Sequence, residues 1–165
     1  GMLGRYLLEK CTITDEALQK LREIPIASQQ TLTIADENGE IVVVECNSER
    51  MEVIYPNEDG NFVATANNFN SEEMKEYRNP QIDDWKSDER YKVAFRTLTE
   101  NRNNFSFNLA KDILSGKYGF MCQYDRKADA DTVWSVIYEL KNKKIFRVEG
   151  NPSRKMFKED KRFKL

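Results

Sequence analysis

Thr31-Leu32-Thr33-Ile34-Ala35-Asp36-Glu37-Asn38-Gly39-Glu40-Ile41-Val42-Val43-Val44-Glu45-Cys46 is the stretch on which the fold turns. The apolar and β-branched runs on either side of Asp36-Glu37-Asn38-Gly39 predict two strands, Thr31–Ala35 and Ile41–Cys46. Asn38-Gly39 suits the positive φ angles of a tight hairpin turn. Ile41 to Val44 is apolar on both faces, the pattern of a strand covered from both sides.

Upstream, Leu3, Leu7 and Leu8 lie at helical spacing within Leu3–Lys10. A second helix is expected from Thr14, with the Thr14 hydroxyl as cap, Asp15 and Glu16 in its positive first turn, and Leu18 and Leu21 on its buried face. Ile24-Pro25 ends it, because a residue before proline is pushed out of the α region. Downstream, Met51–Tyr55 and Phe62–Ala66 read as strands, separated by Pro56-Asn57-Glu58-Asp59-Gly60. A short helix capped by Asn70 or Ser71 follows, then an irregular polar run, Tyr77 to Trp85. A long helix capped by Ser87 or Asp88 reaches Glu100, with Tyr91, Ala94, Phe95 and Leu98 at helical spacing. Phe107–Leu114 forms a further helix. Tyr118–Tyr124, Thr132–Leu140 and Lys144–Val148 read as strands, the last two joined through Lys141-Asn142-Lys143. Grouped runs of helices and strands predict an α+β fold with a mainly antiparallel sheet and flanking helices, residues 1–165 forming a single domain.

The composition excludes several function classes. The 165 residues carry 26 basic and 28 acidic side chains, a balance that gives no electrostatic reason to expect nucleic acid or an anionic membrane as partner. No apolar run is long enough to span a bilayer. Three cysteines, Cys11, Cys46 and Cys122, suit a reducing cytoplasm better than a disulfide framework. Histidine is absent, which removes every Ser–His or Cys–His pair and the usual zinc ligand sets from this chain. Gly1 reads as an expression scar, and Met2 as either a true start or a point where a longer protein was cut.

Several segments together resemble the choloylglycine-hydrolase and penicillin-acyltransferase group, which includes acid amidases and bile-salt hydrolases. They are Arg5-Tyr6-Leu7-Leu8-Glu9, Thr14-Asp15-Glu16-Ala17, Ala35-Asp36 with Gly39 and Val44-Glu45, Ala64-Thr65-Ala66-Asn67-Asn68-Phe69, Ser71-Glu72-Glu73-Met74, Ser87-Asp88-Glu89-Arg90-Tyr91, Asp131-Thr132-Val133-Trp134-Ser135-Val136 and Gly150-Asn151-Pro152. Their order and spacing cover nearly the whole chain. The resemblance implies part of an αββα N-terminal-nucleophile hydrolase sandwich, of which this chain is the C-terminal portion. It implies a linear-amide C–N hydrolase or acyltransferase that works through a cysteine acyl-enzyme on a small-molecule amide. That nucleophile is expected upstream of this chain, leaving the chain inactive alone.

By the same resemblance, Asn67 matches the asparagine that helps hold the oxyanion, with Asn68 the alternative alignment. Arg90 matches the arginine near the nucleophile, where a fixed positive charge favours thiolate. Asn68 and Phe69 are the expected substrate contacts. No cofactor or metal is implied. A lone part of a sandwich exposes one sheet face, so a homo-oligomer is expected.

Simpler readings stand beside these. Asn67-Asn68 before a helix is also ordinary turn chemistry, and Arg90 can pair with Asp88 at the surface. Buried cysteines are common inert core residues. Trp85 and Trp134 suit core or rim, Asp83-Asp84 a solvated loop, and the basic tail from Arg154 to Lys164 a solvated end packed over a neighbour. The alternative function is a non-catalytic homologue serving as a binding or oligomerisation module.

Overall fold

The structure is a computed structural model that describes residues 2–57, 60–82, 85–124, 127 and 129–162. Asp83-Asp84, Glu58, Asp59 and Phe163 lie outside the described residues. The chain is α+β: the described residues form four helices and two small antiparallel sheets, in two compact units divided after Tyr91.

The first unit opens with α1 (Met2–Lys10) and α2 (Thr14–Glu23), followed by β1 (Gln30–Ala35), β2 (Ile41–Cys46) and β3 (Met51–Ile54) in the order β1-β2-β3. Ala35 faces Ile41 across the hairpin, and of Asn38-Gly39 only Gly39 takes the left-handed backbone, φ 92°. Period-two alternation then sends Val42, Val44 and Cys46 to one face of β2, where they join Leu7, Ala17, Leu18 and Leu21 in a buried cluster. Val43 and Glu45 point the other way and are also fully buried. The central strand is thus covered on both sides, as its unbroken apolar run predicts. Fully burying a Leu or Val side chain stabilises by about 1.5–3 kcal/mol before the entropy of ordering is counted.

The start of α2 corrects one expectation. Thr14 is the first helical residue, and the cap does not come from its hydroxyl. Its backbone N–H donates to Asp36 Oδ2 at 2.9 Å, so a carboxylate 22 residues away in the β1–β2 turn satisfies a free N–H of the helix end. At the other end Ile24, before Pro25, is extended (φ −98°, ψ 133°) and stops the helix.

The second unit contains α4 (Phe107–Leu114), β4 (Trp134–Glu139), β5 (Lys144–Glu149) and β6 (Lys158–Glu159), in sheet order β4-β5-β6. The division of the chain falls within α3 (Ser87–Glu100). Ser106 caps α4 by accepting the Leu109 N–H. The β4–β5 connection is a short 3-10 turn, Leu140–Asn142, closed by Lys143 in the left-handed region.

Three predicted elements are absent. Phe62–Ala66 is irregular: after Pro56, which has no N–H to donate, the chain turns (Gly60 N–H to Asn57 O, 2.8 Å) and forms no ladder. Tyr118–Tyr124 is not a strand either. The Gln123 side chain folds back on this segment, accepting from the Met121 and Cys122 N–H groups and donating to the carbonyls of Gly116 and Gly119, so it takes backbone groups that a ladder would need. The helix expected after Asn70 is instead a turn leading into a 3-10 helix, Lys75–Tyr77, because the N–H groups of Asn70 and Ser71 are drawn to Glu45.

Candidate active site

The residues singled out in the sequence converge on one loop, Asn67 to Ser71, at the end of the irregular run after β3. Side chains distant in sequence hold each position. Arg90 Nη2 donates to Asn67 Oδ1 at 2.7 Å, and its Nε to the Trp85 carbonyl at 2.9 Å. The Asn68 N–H donates to Ser87 Oγ at 2.9 Å. Arg78 Nε donates to the Phe69 carbonyl and its Nη2 to Asn70 Oδ1, while its Nη1 pairs with Asp88 at 3.2 Å. Glu45 reaches up from β2 to accept from the N–H groups of Asn70 and Ser71 and from Ser71 Oγ. Two consecutive left-handed residues, Trp85 and Lys86 (φ 55° each), precede α3 at the point where Arg90 takes the Trp85 carbonyl. Such backbone is costly outside glycine and clusters at functional sites.

The chemistry at Asn67 follows from its partner. A guanidinium has only donors, so the Asn67 amide must turn its oxygen toward Arg90. That leaves Nδ2, a two-proton donor, on the other side of the amide, and among the described residues it makes no hydrogen bond. Asn67, Asn68 and Phe69 line a cleft of about 340 Å³ together with Gln29, Arg78 and Asn79. The size falls in the range of small-molecule pockets, and the wall is rich in side-chain amides. Asn67 is exposed, whereas Phe69 is only 4 % exposed.

The motifs mark Asn67, Asn68, Phe69 and Arg90 as candidates, and the structure joins Asn67 to Arg90 directly. Arg78, Ser87 as a partner of Asn68, and Glu45 lie outside those readings. A glutamate inside Val-Val-Val-Glu-Cys was itself a signal, since a carboxylate in a buried strand needs partners. Arg78, in a polar irregular run, carried none.

The cysteines do not gather a reactive centre. Cys46 and Cys122 are 0 % and 2 % exposed, and burial pushes both thiols above their ordinary pKa. Cys11 is half-buried at the end of α1. Among the described residues no cluster of three or more Cys, Asp or Glu side chains is placed to hold a metal, and no helix is long and apolar enough to cross a membrane. Trp85 and Trp134 are both half-exposed, so neither is a core residue.

Compared with known families, the chain matches the model of the acyl-coenzyme A:6-aminopenicillanic acid acyl-transferase family over residues 1–154. No curated protein and no solved structure matches. With nearly the whole sequence covered, the chain belongs to the acyl-coenzyme A:6-aminopenicillanic acid acyl-transferase family.

Proposed function

We propose that the cleft at Asn67 is the oxyanion-binding part of an acyl-transfer site acting on a small-molecule amide. The nucleophile is a cysteine thiolate of the N-terminal-nucleophile kind, contributed by sequence outside these residues. The thiolate attacks the amide carbonyl carbon, and the carbonyl oxygen becomes the anionic oxygen of a tetrahedral intermediate. Asn67 Nδ2–H donates to that oxygen. Collapse breaks the C–N bond and releases the amine, which takes a proton from the α-amino group acting as general base and then acid. The acyl-enzyme then passes to water in a hydrolase or to a second amine in an acyltransferase. Asn68 and Phe69 contact the bound amide.

The observation that carries this reading is the Asn67–Arg90 pair, which fixes an amide donor in a cleft before any substrate arrives. Donors held in advance cost no reorganisation when charge develops. The family match supports the reaction class.

The test is amide hydrolysis on a panel of N-acyl amino acids and bile-salt conjugates, comparing this chain with an upstream-extended protein. Activity is expected in the extended form only, with Asn67→Ala lowering kcat about 100- to 1000-fold. Arg90→Lys separates two roles for the arginine. Lysine keeps the charge but lacks the rigid planar fork that holds Asn67 Oδ1 and the Trp85 carbonyl together, so Lys rescues little if orientation matters and much if charge alone does. Activity in this chain alone would move the nucleophile to one of its own cysteines. Silence from both forms would favour a non-catalytic binding module.

A further inference from the structure

Glu45 is fully buried near the end of β2, the central strand of its sheet, on the face opposite Val44 and Cys46. Among the described residues no Lys or Arg pairs with it. Its carboxylate is instead met by three neutral donors, the N–H groups of Asn70 and Ser71 and the Ser71 hydroxyl, all within 3.0 Å. Removing a carboxylate from water is costly, and these bonds offset the cost only while all three donors stay in place. The carboxylate therefore dictates where residues 70 and 71 lie. Arg78 extends the constraint one step toward the site by holding the Phe69 carbonyl and the Asn70 side chain, and Ser87 holds the Asn68 N–H. Asn67 is the next residue.

We propose that Glu45 is a positioning residue for Asn67: from the rigid central strand it fixes the loop that presents the Asn67 amide to the cleft. The inference rests on the oxyanion role given above to Asn67. No other side chain of this length offers the same set of acceptors. Glutamine keeps the shape but has one oxygen, so its NH2 group would face a backbone or hydroxyl donor.

The experiment compares Glu45→Gln with wild type by two readouts. In amide hydrogen exchange and NMR, Glu45→Gln should speed exchange at Asn70 and Ser71 and move the Asn67 side-chain NH2 resonances, with exchange in β1 and α2 unchanged. Unaltered signals at residues 67–71 would overturn the proposal. In amide hydrolysis by the upstream-extended protein, kcat should fall, by up to about 100-fold for a donor displaced by an ångström, with KM unchanged. The double variant Glu45→Gln, Arg90→Ala should be no slower than Arg90→Ala alone, because both act through Asn67. A KM effect alone, or additive losses, would mean that Glu45 is structural only. If the upstream-extended wild type hydrolyses no amide, the acyl-transfer reading fails, and exchange together with the Asn67 resonances still decides whether Glu45 sets the loop. Should Glu45→Gln not fold, Ser71→Ala removes one of the three donors and must move the same signals in the same direction.

Discussion

Asp36 shows how much of this fold depends on single carboxylates. It lies in the β1–β2 turn, yet it accepts the Thr14 N–H at the start of α2 as well as the N–H groups of Asn38 and Glu40 within its own turn. One side chain therefore closes a helix and shapes a hairpin. The Thr14 backbone hydrogen bond is the largest influence on its ionisation and holds its carboxyl below the ordinary value of 3.8. A carboxyl whose folded pKa lies below its unfolded value stabilises the fold above that unfolded value. The contribution is lost as pH falls through the folded pKa. Wild type should therefore be more stable than Asp36→Asn at neutral pH, with the gap narrowing steadily below about pH 4. Urea midpoints measured across that range check it. A gap independent of pH would mean that the Asp36 charge contributes nothing to the cap.

Among the elements, α1 and α2 give a direct contrast between buried and exposed leucines. Leu21 in α2 is 2 % exposed inside the cluster against β2, whereas Leu8 in α1 is 86 % exposed. Leu21→Ala should cost about 2–5 kcal/mol through lost burial and a cavity, and Leu8→Ala less than about 0.5 kcal/mol. Denaturant unfolding with an unchanged m-value is the measurement. The elements that were legible in the sequence are those whose signal is local. β2 announces itself by its unbroken apolar run, α2 by the spacing of Leu18 and Leu21 and the stop at Pro25, and α3 by Tyr91, Ala94, Phe95 and Leu98 at helical spacing. Phe62–Ala66 and Tyr118–Tyr124 have strand-like composition, but a strand exists only where a neighbouring backbone pairs with it. Composition reports burial and says nothing of the partner. The site divides the same way. In the candidate site, Asn67 and Arg90 stand in motifs, while Glu45, Arg78 and Ser87 act through contacts that span 9 to 26 residues, which no local pattern encodes.

At the scale of the whole molecule, the question is what meets the apolar groups that each unit leaves in solvent. In the first unit Met2 and Leu8 on α1 are 90 % and 86 % exposed; in the second, Val133, Tyr138 and Trp134 are 72 %, 60 % and 49 % exposed along or beside β4. β4 pairs only with β5 among the described residues, so its outer edge carries backbone donors and acceptors with no ladder partner. An apolar edge strand of this kind invites pairing with another chain. Trp134 adds an aromatic surface whose ring already carries the Arg147 guanidinium at 5.0 Å. A second copy of the chain can satisfy both requirements at once, since two β4 edges running antiparallel would pair their backbones and bring the Trp134–Tyr138 faces together. Light scattering at tens of micromolar, a range where contacts of about −7 kcal/mol are populated, should therefore give a dimer or larger species. Tyr138→Ser, which removes an exposed ring that would face Trp134 of the second copy, should shift the mass toward monomer without lowering thermal stability. A wild-type mass of 19.4 kDa at that concentration would rule out self-association as the cover for this edge.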